Sequence, residues 1–153
     1  MKKTFKVLAM FVMVASMAVL SSCSKEENIV GKWQFQAVTM TIENGDPEIQ
    51  QMFDAEVALM NNFLKDMVWE FKSDNTLEAS GLDEDMDMFA GNATYSIDGS
   101  TLTIFDAEYP DEPEVYEIVT LNGSKLLLRT SFEEEDEEGD IIKGTGTLEF
   151  KRI

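Results

Sequence analysis

The sequence predicts a mainly β domain: an eight-stranded antiparallel up-and-down barrel with one amphipathic helix between strands 1 and 2. Three observations lead there. Apolar and polar residues alternate over short runs along most of the chain, as a sheet with one buried face requires. Tight-turn dipeptides separate the runs, Asp98-Gly99 and Asn122-Gly123 being the strongest. One early segment switches to helical spacing. Antiparallel neighbours joined by short turns form a meander, and closing the meander removes its exposed edges.

The elements follow in order. Gly31 to Ile42 is the first strand, with Trp33, Phe35 and Ala37 on one face and Lys32, Gln34 and Gln36 on the other. Asn44-Gly45 ends it, and Asp46-Pro47-Glu48 starts a helix: a capping side chain, a proline in the first turn and an acid near the positive dipole end. Ile49, Met52, Phe53, Met60, Phe63, Leu64 and Met67 recur at helical spacing, so the helix runs from Pro47 to about Lys65. Trp69 and Phe71 then lead into the turn Ser73-Asp74-Asn75, and Leu77 and Ala79 return. Ala93, Tyr95 and Ile97 pair through Asp98-Gly99 with Leu102 and Ile104. Tyr116 and Ile118 pair through Asn122-Gly123 with Leu126, Leu128 and Phe132, and Leu148 and Phe150 form the last strand. The acidic stretches 82–91 and 133–140 read as solvated loops.

Ahead of this domain stands an address. Lys2, Lys3 and Lys6 precede an apolar run from Val7 to Leu20, short for a bilayer span but right for a signal-peptide core. Leu20-Ser21-Ser22-Cys23 closes it and resembles the lipobox of bacterial lipoproteins. That resemblance implies cleavage before Cys23 and acylation of its thiol, several acyl chains giving firm anchorage where one holds only marginally. The chain then divides into a leader, 1–22, a lipidated tether, 23–29, and the barrel domain, 30–153. Ser24-Lys25-Glu26-Glu27 resembles the lysine-plus-acids export signal of surface lipoproteins of the Bacteroidetes. The expected location is therefore the outer membrane, with exposure on the cell surface as one alternative and a plain solvated tether as the other.

Two further sets of residues carry a family resemblance. Gly31-Lys32-Trp33 resembles the glycine-any-tryptophan motif that opens lipocalin barrels, where a basic residue late in the last strand covers the tryptophan. Arg152 has the parity for that role, so Trp33 and Arg152 are the expected closure pair. The whole domain resembles the small lipocalin-like domains of Bacteroidetes lipoproteins, through Ile29-Val30-Gly31-Lys32-Trp33, Trp69-Glu70-Phe71 with Asn75-Thr76-Leu77, and the hairpin from Tyr95 to Leu102. It departs from typical lipocalins in placing its helix early and in having no disulfide.

Composition excludes much. The chain carries 12 basic and 30 acidic residues, a net charge of −18, and three of the basic residues lie in the leader. The remainder stands at −21. Such a surface repels nucleic-acid phosphates and anionic headgroups, so nucleic acid is not an expected partner. There is no histidine, which removes the commonest general base and zinc ligand, and the one cysteine is committed to lipid. Glu70 and Glu117 are the acids in the most apolar settings, but both alternate outward. No catalytic residue, metal site or cofactor is assigned. Asp83, Asp85 and Asp87 have the spacing of EF-hand ligands, but Met88 stands where that loop needs glycine, and Thr94 where it needs an acid. A second start at Glu134, Asp136, Glu138 and Gly139 ends on Thr145.

The apolar lining remains. Parity points Trp33, Phe35, Trp69, Phe71, Tyr95, Ile104, Tyr116, Leu128 and Phe150 inward. They are either plain core or, near the open end, the wall of a pocket, since an eight-stranded barrel can be filled or hold one small ligand. The candidate ligand set is Phe35, Met52, Phe63, Trp69, Phe71, Tyr95 and Tyr116, with the methionine-rich helix either packed as core, the preferred reading, or serving as plug or lid. Two functions are expected of this non-catalytic, membrane-anchored lipoprotein. It is an interaction or accessory domain with an envelope protein partner, a surface patch at Phe89 or Tyr109 being the candidate contact, or a carrier or sensor of a small apolar ligand.

Overall fold

The computed structural model describes residues 25, 28–43, 47–82, 93–135 and 141–153. The leader, Cys23, the helix-capping Asp46, the aspartates at 83–87, Phe89, and the run from Asp136 to Asp140 lie outside the described residues.

The eight strands are β1 (Gly31–Ile42), β2 (Val68–Phe71), β3 (Thr76–Ser80), β4 (Ala93–Asp98), β5 (Thr101–Phe105), β6 (Glu114–Leu121), β7 (Lys125–Glu135) and β8 (Ile141–Arg152), with helix α1 (Pro47–Leu64) between β1 and β2. Each strand pairs antiparallel with the next, and β1 pairs with β8 to close the barrel. Apolar positions of the strands point inward and form one core, in which Trp33, Trp69, Leu77, Leu102, Leu126, Leu128 and Phe150 have no exposed surface.

Two features differ from simple alternation. Phe35 pairs with Phe150 and Ala37 with Glu149, so Gln36 is an extra residue on β1. This bulge exchanges the faces beyond it. Val38 and Ile42 are buried, while Ala37, expected beside Trp33 and Phe35, leaves the core face to Val38. Secondly, Glu133–Glu135 continue β7 and pair with Ile141–Lys143, where the acidic stretch predicts a loop. The second EF-hand-like spacing therefore starts and ends in paired strands, with Glu134 opposite Ile142 and Thr145 opposite Ser131. A further shift at Val119 exchanges the faces beyond it on β6, so that Leu121 packs against the core.

The two ends of the barrel are unlike. The tight turns after β2, β4 and β6 share one end with Ile29 and Arg152, which we call the closed end. In the first turn Asp74 accepts hydrogen bonds from Thr76 N (3.1 Å) and Oγ1 (2.6 Å), and Tyr95 donates its hydroxyl to Lys72 O at 2.8 Å. The chain before β1 is fixed at this same end, where Lys25 Nζ donates to Ser100 Oγ at 2.7 Å and Ile29 is fully buried. Helix α1 and the connection from β5 to β6 lie at the opposite end, the mouth.

Candidate functional site

At the closed end the glycine-any-tryptophan motif has a physical basis. Gly31 has φ +132°, a conformation other residues rarely adopt, and the Arg152 guanidinium lies within 3.8 Å of where its Cβ would stand. Trp33 and Arg152 are register partners, and the guanidinium carbon sits 4.7 Å from the indole centroid. Trp33 Nε1 donates to Ile29 O at 2.6 Å, while Arg152 Nη2 donates to Asn28 O and to Val30 O, the latter at 3.0 Å. One cation thus covers the ring and ties the incoming chain to the last strand.

Above this pair lies an aromatic cluster. Trp69 lies 4.7 Å from Phe150, 6.0 Å from Phe71 and 6.4 Å from Tyr116, between ring centroids. Phe71 meets Tyr95 edge to face at 5.0 Å, and Phe35 meets Phe150 likewise at 5.9 Å. Five of the expected lining residues, Phe35, Trp69, Phe71, Tyr95 and Tyr116, therefore do come together. The first four are packed core, none more than 3% exposed. Tyr116 alone is half-buried, and it donates its hydroxyl to Glu114 Oε2, at the mouth end of β6, at 2.6 Å. Burial, with the Glu114 charge and hydrogen bond acting in the same direction, holds the Tyr116 phenol protonated well beyond its ordinary range.

Helix α1 presents a different face from the one expected. Val57, Met60 and Leu64 pack on the core, and Phe53 stacks on Phe132 at 5.7 Å. Met52 and Phe63, expected at the mouth, turn to solvent, 64% and 40% exposed, in line with Leu59 at 72%. The spacing Met52, Ala55, Leu59, Phe63 is itself a helical stripe, so the segment carries two apolar faces, and their superposition hid which one meets the barrel. A shallow groove of about 510 Å³ follows the outer face, lined by Glu56, Leu59, Met60, Asn62 and Phe63. Tyr109 is also exposed.

Two polar residues that apolar spacing passes over hold the helix. Val38 N donates to Asn61 Oδ1 at 2.7 Å, and Asn61 Nδ2 donates to Val38 O at 2.9 Å. Ile42 N donates to Gln50 Oε1 at 3.1 Å, and Gln50 Nε2 reaches Met40 O at 3.4 Å. β2 pairs β1 only along Gly31–Gln34, so these amides complete the edge that β2 leaves open. Gly144 on β8 makes room for the Phe132 ring: a Cβ there would stand 2.4 Å from Phe132 Cζ and 2.6 Å from Thr41 O. The sequence signal for Gln50 and Asn61 is their type, neutral amides on one side of a helix whose other polar residues are mostly acids.

Glu70 and Glu117 face outward as expected, in ion pairs with Lys32 (3.6 Å) and Arg129 (3.4 Å). Among the described residues no group of three or more metal-ligating side chains comes together, and no helix is long and apolar enough to cross a membrane, which says nothing of strands.

No curated protein matches the chain. Among solved structures, a lipocalin-like protein from Bacteroides uniformis is similar at 17% identity with a TM-score of 0.45, over 82% of this chain and 99% of that one. The lipocalin-like domain matches residues 29–128, from the buried Ile29 through the Trp33 motif to the middle of β7. The chain belongs to the lipocalin-like domain family.

Proposed function

We propose that this protein is a lipid-anchored, non-catalytic interaction domain of the outer membrane, tethered through Cys23 and binding an envelope protein partner. The observation that carries the reading is the outward stripe of α1: Met52, Leu59 and Phe63 are large, apolar and exposed beside a groove, while the rings expected to line a ligand cavity pack on one another. Contiguous exposed apolar patches, unlike single exposed side chains, mark contact sites. The lipobox resemblance supports the anchor and the Lys25 segment supports export. Absence of histidine supports a non-catalytic role, because acid–base chemistry would fall on carboxylates, and Glu70 and Glu117 are outward and ion-paired.

Fractionation tests the anchor: wild-type protein should sediment with outer membranes and gain a mass of several acyl chains at Cys23, and Cys23→Ser should do neither. Protein that stays membrane-bound without acylation would refute it.

A second reading, a carrier or sensor of a small apolar ligand, is favoured by Tyr116. A half-buried ring beside Trp69, its hydroxyl on Glu114, has the chemistry of a polar contact at the end of an apolar cavity. Native mass spectra recorded before and after denaturation, following incubation with an envelope extract, decide it. A discrete mass lost on unfolding supports the carrier, and a clean apo spectrum favours the surface.

A further inference from the structure

We infer that the outer face of α1 is a docking groove for a basic amphipathic helix of another protein. This rests on the reading of the domain as an interaction module, though not on its lipid anchor.

The geometry comes first. Met52, Ala55, Leu59 and Phe63 follow one another at spacings of three and four residues, and over eleven residues at about 1.5 Å each they make a straight apolar line roughly 16 Å long. That is the footprint of about three turns of a partner helix, whose own apolar residues at i, i+3 or i+4 and i+7 would seat between Leu59, Met60 and Phe63. The stripe is held outward, because the opposite face is committed. Asn61 and Gln50 are bonded to the β1 backbone, and Phe53 is stacked on Phe132. The helix cannot turn its second apolar face into the barrel without breaking these contacts. It is a rigid platform, so little ordering cost falls on this side of a complex.

Charge selects the occupant. From Pro47 to Leu64 the helix has no basic residue, and Glu48, Asp54 and Glu56 are its acids, with Glu56 lining the groove itself. Elsewhere, Lys32, Lys72, Lys125, Arg129 and Lys143 are held in ion pairs and Arg152 covers Trp33, while Lys151 lies at the closed end of β8 and Lys65 is the one base beside the helix, just past its last residue. An acidic or neutral partner would leave the Glu56 rim unanswered, and a second copy of this chain would bring like charges together across the same stripe. An anionic lipid surface is disfavoured for the same reason. A helix with lysines or arginines flanking a leucine-like stripe answers both the apolar line and its acidic border.

The test uses the full chain, acylated or not, mixed with nanodiscs of zwitterionic phosphatidylcholine, with empty discs as the blank. The probes are an 18-residue leucine–lysine peptide of helical periodicity and its leucine–glutamate counterpart. Disc-corrected binding of the basic peptide should be at least tenfold tighter than that of the acidic one. Leu59→Asn with Phe63→Asn should weaken it tenfold or more, and Glu56→Gln should lower its salt dependence. Amide hydrogen exchange should slow on α1 when the basic peptide is bound. These side chains face solvent, so circular dichroism should be unchanged in the variants. Equal binding of both peptides, or binding indifferent to Leu59 and Phe63, overturns the proposal and leaves the interaction module to another surface. Concentration-dependent dimers abolished by the same two substitutions overturn it in favour of self-association.

Discussion

Arg152 does two jobs with one side chain: it covers Trp33 and binds the carbonyls of Asn28 and Val30. Lysine keeps the charge but not the planar fork, so Arg152→Lys should cost about 1–2 kcal/mol, and Arg152→Ala on the order of 3, in urea unfolding. Gly144 and Gly146 make a sharper pair. A methyl at Gly144 meets both the Phe132 ring and the Thr41 carbonyl, whereas at Gly146 the nearest atom is Thr130 Cγ2 at 3.5 Å, an ordinary contact. Gly144→Ala should cost roughly 1–3 kcal/mol and Gly146→Ala far less, the two separated by their denaturant midpoints. Tyr116 adds a pH dependence. Its phenol is raised in the folded state, so its contribution is fully present below the ordinary value of about 10 and is lost as pH rises above it. Between pH 9 and 11 the melting temperature should therefore fall more for wild type than for Tyr116→Phe, and equal falls would refute the assignment. Trp33 and Arg152 were legible as a pair because motif and parity agreed. Gly144 was not, because the ring it accommodates belongs to a neighbouring strand.

At the level of elements, strand identity was legible wherever alternation met a turn signal. β1 was read with its observed limits, and the hairpins at Asp98-Gly99 and Asn122-Gly123 fall where their dipeptides place them. The bulge at Gln36 was not legible, since no glycine or proline marks it and the reversal of faces shows only against β8. The end of β7 was hidden for another reason. Acid-rich composition reads as a loop, but Glu133 sits opposite Lys143 and pairs with it at 2.9 Å, so the strand tolerates its charge. The helix was legible as a helix, but which stripe it buries was not. Its attachment supplies the prediction at this scale. Asn61→Ala leaves Val38 N–H and C=O without their partners and should cost about 1–3 kcal/mol, with faster amide exchange at Val38. Loss of the helix bonds would also bare the second half of β1, an edge able to pair with another chain, so this variant should aggregate more readily near its midpoint.

The whole molecule is strongly and unevenly charged. Cross-strand pairs place cations on the sheet wall, while α1 carries acids alone. With a net charge of −18, self-repulsion opposes the compact state, and salt screens it over a length of about 10 Å at 0.1 M. Raising sodium chloride from 20 to 500 mM should therefore raise the melting temperature, and a fall would show that specific ion pairs outweigh the repulsion.

The Lys25–Ser100 bond, with Asn28 and Val30 held by Arg152, has a consequence for posture. Cys23 precedes Lys25 by two residues, and two residues reach at most about 7 Å. An acylated Cys23 on so short a leash would seat the hairpin turns against the headgroups and stand the barrel on its base. The rim with Tyr116 and Glu114 would then open toward the aqueous side, like a cup set down on a table. A spin label on the Asn122-Gly123 turn should accordingly feel lipid-borne relaxation agents, and one on Tyr109 should feel only aqueous ones.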